Sequence, residues 1–147
     1  MPRHSETRAL PYRAAQMYAL VADVARYPEF LPWCAATRIR SVWPDGECEV
    51  MESDMVISFK VFRERFGTRV RLCPGKCHIQ TDYLDGPFRY LHSNWRFRAA
   101  EGGCAVDFDV DFEFRNAILQ KVMGLVFNEA MHRIVKAFET RAAELYG

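Results

Sequence analysis

The clearest pattern along the chain lies between residues 106 and 114, where Val106, Phe108, Val110, Phe112 and Phe114 alternate with Asp107, Asp109, Asp111 and Glu113. A period of two with one apolar and one acidic face predicts a half-buried strand of an antiparallel sheet. Just before it, Trp95 and Phe97 alternate with Arg96 and Arg98. A two-residue turn at Glu101-Gly102 sets Arg96 opposite Asp107 and Trp95 opposite Phe108, matching charge with charge and ring with ring. The period then changes. After Asn116, a candidate helix cap, Leu119, Val122, Met123, Val126, Phe127, Ala130, Met131, Ile134, Phe138 and Leu145 keep helical spacing to about Tyr146. About 30 residues at ~1.5 Å each make a rod of roughly 45 Å, which a small domain holds only by laying it along the sheet.

Upstream, a short strand is predicted over His4 to Leu10, and Pro11 suits the first turn of a helix. Ala14, Met17, Tyr18 and Val21 give that helix one apolar face. Asp23 is a candidate cap for a second short helical piece, which Pro28 and Pro32 keep short. From about Ala36 to Phe114 the signals are strands and turns, with turn chemistry at Pro44-Asp45-Gly46, Pro74-Gly75 and Glu101-Gly102-Gly103. Strand, helices, six or so antiparallel strands and a long helix make an α+β fold, predicted as one domain over residues 1–147.

Composition sharpens this. The chain holds 11 Phe, 6 Tyr and 3 Trp in 147 residues, more ring area than a plain core needs, so a lined cavity is expected between sheet and helix. The net charge of +1 argues neither for nor against nucleic acid and makes any basic surface local. No DNA partner is expected. Asp45, Glu47, Glu49, Glu52 and Asp54 are followed by Lys60, Arg63, Arg65, Arg69, Arg71 and Lys76. Either neighbouring strands neutralise one another, or a basic edge meets anionic headgroups or ribosomal RNA. Five cysteines at irregular spacing, with no signal-like or membrane-spanning stretch, read as free thiols in a reducing cytosol. The excess of Arg over Lys suggests a GC-rich bacterial genome.

Catalytic signatures are missing. There is no phosphate loop, no His-Glu-x-x-His and no nucleophile elbow, and the four histidines stand far apart. Cys73-Pro-Gly-Lys-Cys77-His78 has no second pair at zinc-site distance and reads as a hairpin tip rather than a metal site. Were the chain an enzyme, Glu64 and His132 would be the acid or base by elimination.

The segments Tyr27-Pro28-Glu29-Phe30-Leu31-Pro32-Trp33-Cys34, Asp85-Gly86-Pro87-Phe88, Trp95-Arg96-Phe97, Asp111-Phe112-Glu113-Phe114 and Ala137-Phe138-Glu139 with Arg141 together carry a family resemblance. The chain resembles the coenzyme Q-binding START-like proteins of the polyketide-cyclase superfamily, whose bacterial branch is called ribosome-association toxin. The stretch from about Glu52 to Gly67 is longer than in that pattern. The resemblance implies a helix-grip fold, a curved sheet wrapped around the C-terminal helix, and ubiquinone or a similar polyprenyl lipid bound between them in support of respiration or quinone biosynthesis. It implies no catalytic residues and no catalytic cofactor. It also implies a cytoplasmic protein that touches the inner face of the inner membrane, respiratory proteins or the ribosomal large subunit. Face assignment and motif position nominate Phe30, Trp33, Phe88, Trp95, Phe108, Phe112, Met123, Phe127 and Met131 as the ligand wall.

Overall fold

The computed structural model describes residues 3–59 and 62–147. Strands β1 (Arg3–Leu10), β2 (Cys34–Asp45), β3 (Cys48–Phe59), β4 (Phe62–Cys73), β5 (His78–Asp85), β6 (Phe88–Ala100) and β7 (Gly103–Phe114) form one antiparallel sheet in the order β1-β7-β6-β5-β4-β3-β2. The sheet curves around α2 (Ala117–Tyr146). Residues 104 to 114 of β7 alternate between buried and half-exposed without a break. The β6–β7 register sets Arg96 against Asp107 and Trp95 against Phe108 as the pattern predicts, although the ion pair to Asp107 comes from Arg98 at 2.9 Å.

First and last strands of the order are joined by the segment between β1 and β2, so that segment must cross from one sheet edge to the other. Helix α1 (Ala14–Ala22) makes part of the crossing and packs on β5, β6, β7 and α2. It starts later than predicted. Pro11 and Tyr12 form a bend, and the Gln16 side chain accepts the Arg13 N–H at 2.9 Å to begin the helix. The short piece that follows, Val24–Glu29, is 3-10 rather than α, with Pro28 inside it, and Asp23 makes no side-chain capping bond. Asn116 does cap α2, its side-chain oxygen accepting from Ile118 N and Leu119 N at 2.9 and 3.0 Å.

The buried stripe of α2 runs Leu119, Phe127, Ala130, Met131, Val135, Phe138 and Ala142. Leu145 falls outside it and is 51% exposed, while the neighbouring Tyr146 packs on Tyr12 and donates to the Gln16 carbonyl at 3.0 Å. Phe138 anchors the C-terminal half, meeting Trp95, Tyr27 and Phe30 at ring distances of 5.1, 5.6 and 5.3 Å. Arg141 stacks over Phe30 at 5.2 Å and donates to Glu29 at 2.8 Å. The aromatic corner and the α2 motif are thereby two halves of one clamp.

One expectation fails outright. Cys48 and Cys73 form a disulfide, leaving Cys34, Cys77 and Cys104 as thiols. The β3–β4 register explains it: Glu49 faces Leu72, so Cys48 and Cys73 fall next in the ladder with their Cα atoms 4.4 Å apart. That is the close spacing of a non-hydrogen-bonded antiparallel pair. Irregular sequence spacing hides this adjacency, since β3 and β4 bring it about. With Cys73 so engaged, the Cys73–Cys77 tip is a 3-10 turn over Pro74–Lys76.

Candidate functional site: an apolar cavity under the helix

The curved sheet and the first half of α2 leave a cavity of about 200 Å³ between them. Its floor is Phe88 and Leu91 of β6 with Val110, Phe112 and Phe114 of β7. Phe66 of β4 and Met55, Ile57 and Phe59 of β3 form one side, and Leu31 to Cys34 form another. Met123, Ala130, Met131 and Ile134 of α2 make the roof. Among the described residues, no charged or hydroxyl-bearing side chain is in this wall. Burial pushes the Cys34 thiol up to about 11, so it stays neutral there.

Local geometry accounts for these positions. Gly86, in the turn from β5 to β6, has φ +135°, and a Cβ on it would lie 2.7 Å from Phe66 Cβ. Only glycine lets that turn cross so closely over Phe66. The crossing brings Phe66 and Phe88 into edge contact at 5.2 Å, and the Phe88 N–H donates to Tyr83 Oη at 3.1 Å. At the mouth, Trp33 is held at φ 64°, a conformation costly for a bulky residue. The Ser58 N–H donates to the Trp33 carbonyl at 2.8 Å, and the indole meets Phe59 at 5.4 Å.

Of the nominated residues, Trp33, Phe88, Phe112, Met123 and Met131 line the cavity. The others stand elsewhere. Phe30 belongs to the Phe138–Arg141 clamp. Trp95 and Phe108 meet at 4.2 Å with their rings tilted by 31°, beneath Phe138, where α2 rests on the sheet. Phe127 packs on Phe112 at 5.6 Å and faces His4 of β1. Sequence reading missed Leu31, Pro32, Cys34, Met55, Ile57, Phe59, Phe66, Leu91, Val110, Phe114, Ala130 and Ile134. The period-two row Met55, Ile57, Phe59 was the available signal for three of them.

The cationic stretch is largely paired. Arg65 donates to Asp54 and Asp85, Arg69 to Glu52 at 2.7 Å, and Arg71 to Asp45. Arg40 joins Arg65 on the two aspartates. Asp54 is held below the usual carboxylate range, mainly by the hydrogen bond from Arg40, and Asp85 mainly by that from Arg65. Arg63 and Lys76 have no ion pair among the described residues, and Lys60 lies outside them. Glu64 and His132 are both outside the cavity wall, His132 being exposed on α2. Among the described residues, no three His, Cys, Asp or Glu side chains converge as a metal site would require. No helix there is long and apolar enough to cross a membrane.

A family profile described as polyketide cyclase / dehydrase and lipid transport matches residues 10–139. A Pseudomonas aeruginosa protein named ribosome association toxin RatA is 37% identical, with the whole of both chains aligned. A Xenopus laevis protein named coenzyme Q-binding protein COQ10 homolog B, mitochondrial, is 30% identical over 98% of this chain and 59% of its own length. Among solved structures, the 18 kDa protein CC1736 from Caulobacter crescentus is 34% identical with a TM-score of 0.83, covering 100% of this chain and 99% of that one. The Zhui aromatase/cyclase from Streptomyces, 15% identical with a TM-score of 0.78 over 96% of this chain and 93% of its own, shares the fold.

Proposed function

Since the chain belongs to the polyketide cyclase/dehydrase and lipid transport family, we propose that it is a non-catalytic carrier whose cavity holds part of a polyprenyl lipid of the ubiquinone class, serving respiratory electron transport or quinone biosynthesis. The carrying observation is a cavity whose described wall consists of apolar and thioether groups with the single Cys34 thiol. An apolar space of ~150 Å³ stays dry and takes up a benzene-sized guest, so one of about 200 Å³ takes a ring or a few isoprenoid carbons. The remainder of a long lipid leaves through the mouth. Met55, Met123 and Met131 give the wall adaptable side chains, suited to a flexible chain. The name of the 30% identical relative supports the ligand class. Chemistry on the ligand would need a titrating acid or base, and the Cys34 thiol in the wall is held neutral by burial.

Such a lipid has to be taken from a bilayer. Ile118 and Leu125, on the outer face of α2, are 70% and 80% exposed. With Arg115 and Lys121 beside them, these residues suit shallow contact with an anionic membrane surface. The test of the carrier reading is calorimetric titration of decylubiquinone into the native protein and into Ala130→Phe, which fills the cavity roof. Saturable binding that the substitution removes, in a protein that still melts cooperatively, supports the reading. Equal binding by both proteins refutes it.

A second reading rests on the relatives named for ribosome association, among them the 37% identical protein from Pseudomonas aeruginosa. Arg63 is the residue through which to test it, having no ion pair among the described residues, whereas reversing Arg65 would also break its contacts with Asp54 and Asp85. Loss of ribosome cosedimentation at low salt in Arg63→Glu favours this reading; unchanged cosedimentation removes the basic edge from it.

A further inference from the structure

The cavity offers a polar head no strong hydrogen-bond partner beyond the weak Cys34 S–H, yet a polar recess adjoins it. This second hollow, of about 170 Å³, shares Trp33, Phe59 and Ala130 with the cavity and adds Val126, Glu129 and Arg133. The Arg133 guanidinium lies over the Trp33 indole at 5.8 Å and has no ion pair among the described residues. An arginine so placed presents several N–H donors at the mouth.

We propose that an amphiphilic lipid binds tail first, its hydrocarbon in the apolar cavity and its polar head in the Trp33–Glu129–Arg133 recess, where Arg133 donates to a hydrogen-bond acceptor on the head. The proposal rests on the carrier reading above and adds an orientation to it. Burying the head in the cavity would strip its carbonyl oxygens of water without replacement, a cost that apolar walls cannot offset. The recess reverses that balance. Glu129 on the same rim repels a fully anionic head, so the head that fits is neutral and rich in acceptors, as a benzoquinone is. Each methylene buried inside multiplies affinity about fourfold, whereas a charge-assisted hydrogen bond at a half-open rim is worth about tenfold.

The test compares two quinones with the same head, ubiquinone-0 without a tail and decylubiquinone with ten carbons, by calorimetric titration. The tail-first orientation predicts that decylubiquinone binds at least about 100-fold more tightly, since three or four buried methylenes suffice for that. Arg133→Gln weakens decylubiquinone about tenfold, and Ala130→Phe abolishes its binding. If Ala130→Phe fails to fold, Ile134→Phe plugs the same cavity from the next turn. Ubiquinone-0 binding within a few-fold of decylubiquinone, and blocked by the plug, overturns the orientation while leaving the carrier reading intact. So does an Arg133→Gln protein that matches the native one. No decylubiquinone binding to the native protein overturns the carrier reading and the orientation with it.

Discussion

Gly124 sits in the middle of α2, one residue after the cavity-lining Met123. A Cβ built on it meets nothing within 4 Å, and its φ is not positive. No packing or backbone geometry therefore requires glycine there. Helix propensity makes glycine about 0.8–1.0 kcal/mol worse than alanine inside a helix, so Gly124→Ala is expected to stabilise the protein by about that much. With an unfolding entropy of about 2.1 cal/mol/K per residue, a chain of 147 residues has about 0.3 kcal/mol/K, and Tm rises by about 3 °C. Gly86→Ala is the control, because its Cβ would strike Phe66 from a positive φ, and that variant melts lower. Calorimetric melts of the three proteins read both effects. An unchanged or lowered Tm for Gly124→Ala refutes the reasoning, since the space beside Gly124 would then be filled or the helix locally irregular. A slower uptake of decylubiquinone by the stabilised variant would further mean that α2 bends at Gly124 to admit the ligand.

Phe138→Ala empties the centre of the clamp and should cost about 3–5 kcal/mol, lowering Tm by roughly 10–16 °C at the same entropy; denaturant unfolding checks it. Under denaturing, non-reducing conditions Ellman's reagent should count three thiols, and five after reduction. In the native protein only the half-exposed Cys77 should react promptly at pH 8, because burial raises both Cys34 and Cys104. The carboxyls of Asp54, Asp85 and Asp107 are held below their ordinary value of 3.8, principally by hydrogen bonds from Arg40, Arg65 and Arg98 respectively. Their contribution is complete above that value and is lost as pH falls through the lowered folded ones. Melting temperature should therefore drop below about pH 4, and drop less steeply in Asp107→Asn; identical pH profiles would contradict the assignment.

The alternating row of β7 and the capped stripe of α2 made the fold legible, because each period encodes which face is buried. Periodicity does not encode height along a strand. Phe108 and Phe112 share one face of β7, yet Phe108 lies beneath Trp95 and Phe138 while Phe112 reaches the cavity. That division follows from where α2 rests on the sheet, a tertiary fact. Phe30 belongs to a motif that carried the resemblance, and its ring serves the clamp with Phe138 and Arg141. The basic stretch left two readings open, mutual neutralisation or a surface, until β3 and β5 supplied Glu52, Asp54 and Asp85 across the ladder. Cross-strand partners decide the fate of charges and of Cys48 and Cys73 alike, and they are invisible until the register is known.

The most direct measurement is of what the protein carries. Purified without detergent from a quinone-producing bacterium and extracted with organic solvent, the native protein is predicted to release a polyprenyl quinone in near-stoichiometric amount by mass spectrometry. The Ala130→Phe protein, purified alongside, should release almost none. An empty native extract, from folded protein that also refuses added decylubiquinone, would contradict the account and leave the cavity as unfilled core.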